Sequence, residues 1–181
     1  MTAVRSQQSA VRKLKEKITM IKAKNKIVNR KKLAGILAGL RKKGQKIVFT
    51  NGCFDLLHVG HVRYLNKAKQ QGDVLVVALN TDASVRKLKG KLRPLVSQRE
   101  RAEILGGLSA VDYVTFFGEE TPAEIIAELK PQVLVKGADY KIKDIVGNTF
   151  INKTGGRVVR IPLAKGQSTT SLINDIVRKY G

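Results

Sequence analysis

Residues 47–61 read IVFTNGCFDLLHVGH. An apolar strand beginning at Ile47 breaks at Gly52 and hands over to a helix that carries His58 and His61 in its first turn, with Gly60 between them. Positions three apart are neighbours on a helix, so the two imidazoles share one face. The start of a helix also presents unpaired backbone N–H groups and the positive end of its dipole, which makes it an anion site. A helix N-terminus and two ring N–H donors at the mouth of a strand suit a polyphosphate, with a nucleotide as the first reading.

The rest of the chain repeats the strand–helix alternation. KIVFTN (46–51), DVLVVALN (73–80), DYVTFF (112–117), QVLVKG (132–137) and RVVRIPL (157–163) read as strands; the second is an almost unbroken Val/Leu run, the pattern of a strand buried on both faces. Helical stretches fall between them: RKKLAGILAGLRKK behind an Asn29 cap and stopped by Gly44, HVRYLNKAKQQG, Thr81–Lys89, Gln98–Leu108, EIIAEL, and SLINDIVRKY after Ser168-Thr169-Thr170. Thr121-Pro122-Ala123-Glu124 has the form of a capping box with proline at the first helical position. This order predicts an α/β fold: a Rossmann-like parallel five-stranded sheet with helices on both faces and right-handed crossovers. Ligands of such sheets bind beyond the carboxyl ends of the strands. The histidine turn, the Lys136-Gly137 step and the Ser-Thr-Thr segment all map to that rim.

At 181 residues the chain holds one domain with room for a core. Residues 1–47 contain 15 Lys/Arg against a single acid, Glu16, so +14 of the net +21 sits at the N-terminus. The expectation is a basic helical N-terminal extension over residues 1–28, helical around 9–24, and an α/β domain over 29–181. A basic arm binds RNA or an acidic membrane surface, or is simply solvated. It carries no aromatic-bearing RNA motif, so nucleic acid is the lesser reading. The lone cysteine, Cys53, fits a reducing, cytoplasmic compartment. There is no secretory h-region and no apolar run near the roughly 20 residues that span a bilayer; residues 1–25 also match a mitochondrial-type presequence in composition.

His58 and His61 are the only histidines and no further ligand cluster accompanies them, so no metal site is assigned. Nor is there a nucleophile elbow for a Ser-His-Asp system. A phosphate clamp is the reading that uses both rings, with Gly60 allowing close approach to the backbone. By themselves the basic run Lys87–Arg93 reads as a solvated loop and Arg101 as a helix-surface arginine.

Taken in order, Asn51-Gly52-Cys53-Phe54-Asp55, His58-Val59-Gly60-His61, Lys136-Gly137-Ala138-Asp139-Tyr140 and Ser168-Thr169-Thr170 resemble the cytidylyltransferase-like nucleotidyltransferases, whose signature is HxGH. Within that superfamily the chain is most similar to the D-glycero-β-D-manno-heptose 1-phosphate adenylyltransferases of ADP-heptose synthesis, over roughly residues 46–179. That enzyme is often fused to a sugar kinase, and this chain resembles the stand-alone form. The resemblance implies transfer of AMP from ATP to a sugar 1-phosphate by in-line attack, without a covalent intermediate, with Mg²⁺ entering through the ATP phosphates. It implies catalytic roles for His58, His61 and Lys89. Cys53, Phe54, His58, Gly60, His61, Asp139, Ser168, Thr169 and Thr170 would bind nucleotide, and Lys136, Asp139 and Arg101 the acceptor. Asp55 would support the His58 region from behind. A homodimer is compatible with the family. Cytidylyltransferases of glycerol 3-phosphate carry arginines that this chain lacks within Ile161–Gln167 and near Ser109-Ala110, which favours ATP over CTP. The alternatives are such a cytidylyltransferase, or a nucleic-acid-binding protein acting through its basic arm.

Overall fold

The computed structural model describes residues 23–162, 166 and 168–181. Five strands, β1 (Ile47–Gly52), β2 (Val74–Asn80), β3 (Tyr113–Phe117), β4 (Val133–Gly137) and β5 (Arg157–Ile161), form one parallel sheet in the order β3-β2-β1-β4-β5. The chain runs outward from β1 in one direction, then returns to β4 on its other side. This places the topological switch between β1 and β4, where open α/β sheets bind ligands.

Successive strand residues face opposite sides, and the core divides accordingly. Phe49, Val76, Ala78 and Leu134 pack with helices α1 (Arg30–Lys42), α5 (Ala123–Leu129) and α6 (Asn148–Lys153). Val48, Leu75, Val77 and Val135 pack on the other face with α2 (Val59–Lys69) and α4 (Gln98–Gly107). Each buried Leu or Ile contributes about 1.5–3 kcal/mol of apolar transfer, so the two layers fix the sheet on which the site sits. β2 is buried along its whole length, as its Val/Leu run implies. The remaining helices, α3 (Asp82–Lys89) and α7 (Thr169–Tyr180), flank the carboxyl rim.

Asn29 caps α1 as expected, accepting from Lys32 N at 2.8 Å, and Gly44 follows that helix with φ of 77°. Three expectations change. The box at Thr121–Glu124 does not form: Pro122 is the cap residue, and Thr121 Oγ1 only approaches Ala123 N at 3.5 Å. Helix α6 and the 3₁₀ turn Ile142–Asp144 lie where the sequence shows no periodicity. The boundary at residue 28 also moves toward the N-terminus, because residues 26–28 belong to the body. Ile27 bridges Val114, Val28 N donates to Val114 O at 2.9 Å, and the Val28 side chain is buried. The expected basic helix at 9–24 falls almost wholly outside the described residues, as does Leu163 of the fifth strand. Among the described residues no helix is long and apolar enough to cross a membrane.

Candidate active site at the switch point

β1 delivers the chain into the turn Cys53–Leu57, in which Phe54 and Leu56 both take left-handed φ of 48°. The turn ends at His58, the cap residue of α2. His58 Nδ1 accepts from Gly60 N at 3.1 Å, and His61 Nδ1 accepts from His58 N at 3.4 Å. This is a capping box built from two imidazoles in place of a hydroxyl and a carboxylate. With both Nδ1 atoms occupied as acceptors, each neutral ring carries its proton on Nε2. The ring centroids lie 3.9 Å apart, and Phe54 packs against His61 with centroids 5.2 Å apart and the rings tilted by 52°. Burial, and then the neighbouring His58, pull the pKa of His61 down to about 4; burial lowers His58 as well. Both rings are therefore mainly neutral at pH 7, each with an Nε2–H left to donate.

Two helices open on the cavity that these rings line. The N-terminal turn of α2 faces it through His58, Gly60 and His61, and that of α7 through Ser168 and Thr169. Neither helix has an acidic residue in its first turn. Both positive dipole ends are left for an outside anion. The Gly60 N–H is taken by His58, so this glycine supplies space rather than a donor. Ser168 caps α7, accepting from Ser171 N at 3.0 Å, and Thr169 Oγ1 donates to Asp55 O at 2.6 Å.

This cavity measures about 300 Å³ and also touches Lys136 and Asp139. It adjoins a second of about 530 Å³, walled by Lys89, Arg93, Asp144 and Thr170. Cys53 and Phe54 line both. Burial pushes the Cys53 thiol up, against the opposing pull of Lys89, Arg101 and Arg93.

Two residues sit differently from expectation. Arg101 touches neither cavity: it is 1% exposed and donates to Val96 O, Cys53 O, Asn80 O and Asp82 Oδ1 at 2.5–3.0 Å. A guanidinium used up in this way is a clamp beneath the Cys53–Leu57 turn and has no N–H turned to either cavity. Asp55 does lie behind the site, but its carboxylate reaches the 93–96 loop and not the His58 turn. It accepts from Arg93 Nε at 2.6 Å, Leu95 N at 2.9 Å and Val96 N at 3.0 Å. Sequence reasoning assigned no role to Asn51, whose side chain meets Lys136 across the switch point. Its position at the carboxyl end of β1 was the available signal.

A sequence model of the Cytidylyltransferase-like family matches residues 49–173, which spans the histidine turn, the 136–140 segment and the start of α7. The chain belongs to the Cytidylyltransferase-like family. Among curated relatives it is 56% identical to "Bifunctional protein HldE" of Geobacter metallireducens and 52% identical to that of Geobacter sulfurreducens, each over 86% of this chain and 32% of the relative. The chain thus spans about a third of the length of these relatives. Among solved structures, a lipopolysaccharide core biosynthesis protein from Thermoplasma volcanium GSS1 is 32% identical, with a TM-score of 0.58 over 67% of this chain and all of the other. A pantoate-beta-alanine ligase from Francisella tularensis, 20% identical with a TM-score of 0.56, shares the fold.

Proposed function

We propose that this Cytidylyltransferase-like chain is an adenylyltransferase that moves AMP from ATP to a sugar 1-phosphate, D-glycero-β-D-manno-heptose 1-phosphate, giving ADP-heptose and pyrophosphate. The observation that carries the reading is the convergence of two helix N-termini and two neutral imidazoles on one cavity at the switch point. Similarity to the bifunctional HldE proteins and to a lipopolysaccharide core biosynthesis protein supports the sugar nucleotide as product.

In the reaction an oxygen of the sugar phosphate bonds to the α-phosphorus of ATP. The bond from that phosphorus to the bridging oxygen of the β-phosphate breaks, and pyrophosphate leaves with the electron pair. No covalent bond to the protein is needed, so catalysis consists of positioning and charge stabilisation. His58 and His61 donate Nε2–H to the triphosphate, and the N–H groups of Thr169 and Thr170 meet its charge from the opposite helix. Asp139 accepts from nucleotide or sugar hydroxyls, and Lys89 binds phosphate from the second cavity. Cys53 and Phe54 shape the floor. Mg²⁺ would enter as part of the MgATP substrate, held by phosphate and water.

The test is pyrophosphate release from ATP or CTP with a panel of sugar 1-phosphates and glycerol 3-phosphate. ATP with the heptose phosphate should give the highest kcat/KM. Preference for CTP with an alcohol phosphate, or no release with any pair, would overturn the proposal.

A further inference from the structure

Strands β1 and β4 pair only at Val48–Val133 and Phe49–Leu134, yet β1 continues to Gly52 and β4 to Gly137. Beyond the last pair the strands part, and a side-chain contact spans the wedge: Lys136 Nζ donates to Asn51 Oδ1 at 2.6 Å. The same amine sits 5.6 Å from the centre of the Tyr140 ring. Lys136 lines both cavities. On one side stand His58, Gly60 and Asp139; on the other, Lys89, Arg93 and Asp144.

An ammonium has three donors, and Asn51 takes one. Among the described residues no carboxylate pairs with it. Burial draws its pKa down to about 8, opposed by the nearby Asp139. A half-buried cation without an ion partner, placed where two cavities meet, is poised for an anion that reaches into both.

Resting on the adenylyl-transfer reading, we propose that Lys136 is a catalytic residue that grips the phosphoryl group under attack, donating to a non-bridging oxygen of the ATP α-phosphate and to the attacking phosphate of the acceptor. The smaller cavity then holds the nucleotide and the larger the sugar phosphate. Lys136 stays protonated throughout and transfers no proton. It offsets the repulsion between the two anions as the new oxygen–phosphorus bond forms and pyrophosphate departs. His58 and His61 hold the leaving phosphates, so loss of Lys136 spares ATP binding and strikes the chemical step.

The experiment compares the full chain with its Lys136→Met, Lys136→Gln and Lys136→Arg variants. The readouts are ATP affinity by calorimetry, kcat by pyrophosphate release with the heptose phosphate, and folding by circular dichroism. Removing a preorganised charge at the reacting centre should lower kcat about 10²–10³-fold. ATP affinity should stay within about fivefold, because the contacts that hold its β- and γ-phosphates remain. Arginine should recover at least about tenfold of the loss, because it keeps the charge. Should methionine unfold the chain, the polar, uncharged glutamine carries the same expectations. A folded Lys136→Met or Lys136→Gln enzyme with kcat near that of the parent overturns the role, as does a loss confined to ATP affinity. A parent chain that releases no pyrophosphate with any donor and acceptor pair overturns the adenylyl-transfer reading and this role with it.

Discussion

Asp55→Asn tests the frame of the site with the fewest assumptions. The Asp55 side chain is fully buried. Its two oxygens take one guanidinium N–H and two backbone N–H groups, and its own carbonyl takes the Thr169 hydroxyl. Hydrogen bonds to a charged group are each worth about 1.5–3 kcal/mol. The asparagine keeps one acceptor oxygen and turns an NH₂ toward donors, so one or two of these bonds are lost. Leu95 is 55% exposed, which lets the freed loop amides reach water. The net loss should therefore be about 2–3 kcal/mol, or a Tm lower by about 5–10 °C for a chain of this size. Burial alone would raise the Asp55 pKa, but the bonds from Leu95 N and Arg93 outweigh it and hold it below the ordinary carboxylate range. Its contribution is thus present above an unfolded-state pKa of about 3.9 and is lost as pH falls through the lower folded value. The gap between parent and variant should be full at pH 7 and narrow below about pH 4. Urea titration followed by far-ultraviolet circular dichroism measures it. A gap under about 0.5 kcal/mol at pH 7, less than one neutral hydrogen bond, would refute the reasoning; so would a gap that acid leaves unchanged.

His61→Ala should lower turnover by about 10²–10³-fold with the fold intact, read by pyrophosphate release beside circular dichroism. Since the folded pKa of His61 is about 4, the unfolded chain takes up that proton first as pH drops from 6.5. The parent should therefore lose stability toward pH 4, and the alanine variant should flatten that slope in acid urea titrations. Arg101→Lys should destabilise by about 2–4 kcal/mol and depress kcat, because one ammonium cannot serve the acceptors spread around a planar guanidinium; a lysine variant matching the parent in urea would show the clamp to be dispensable. Deleting residues 1–28 should cost about 2 kcal/mol more than deleting 1–22, because only the longer deletion removes the buried Val28 side chain and its bond to Val114. Equal melting temperatures would place those residues outside the body.

Period and composition made the sheet legible. Five apolar runs fell on the five strands, most plainly in β2, where burial along the whole strand leaves little choice but Val, Leu and Ala. Helix α6 escaped because six residues, Asn148–Lys153, are too short to show a 3.6-residue rhythm. Its signal is Gly147, at φ of 94° with Ile126 Cδ1 2.7 Å from where a Cβ would stand, which is a packing fact and not a sequence pattern. The histidine turn was readable because three-residue spacing at a helix start fixes both rings on one side. Arg101 was not, because an arginine in a polar helix looks solvated until tertiary contacts bury it. Asp55 was placed correctly along the chain and wrongly in space: its true partners lie about 40 positions on, at a separation local pattern cannot reach.

What those contacts hold is a backbone that the chain would not adopt alone. Phe54 and Leu56 both sit in the left-handed region, where a side-chain-bearing residue costs on the order of 1–2 kcal/mol. Such strain persists only where the surroundings over-determine it. Here they do so through main-chain carbonyls: Arg101 holds Cys53 O from below, and Thr169 holds Asp55 O from the α7 side. The strained turn is thus tied to α4 and to the helix whose N-terminus forms the opposite wall of the cavity. Any displacement of α7 must move Thr169 or break its bond, so this hydrogen bond couples the two helix ends that face the cavity. If the chain transfers an adenylyl group as proposed, that coupling serves the placing of two anions in line. Side-chain substitutions at Cys53, which leave its main-chain carbonyl in place, should therefore matter less than those that remove the Arg101 or Thr169 bonds.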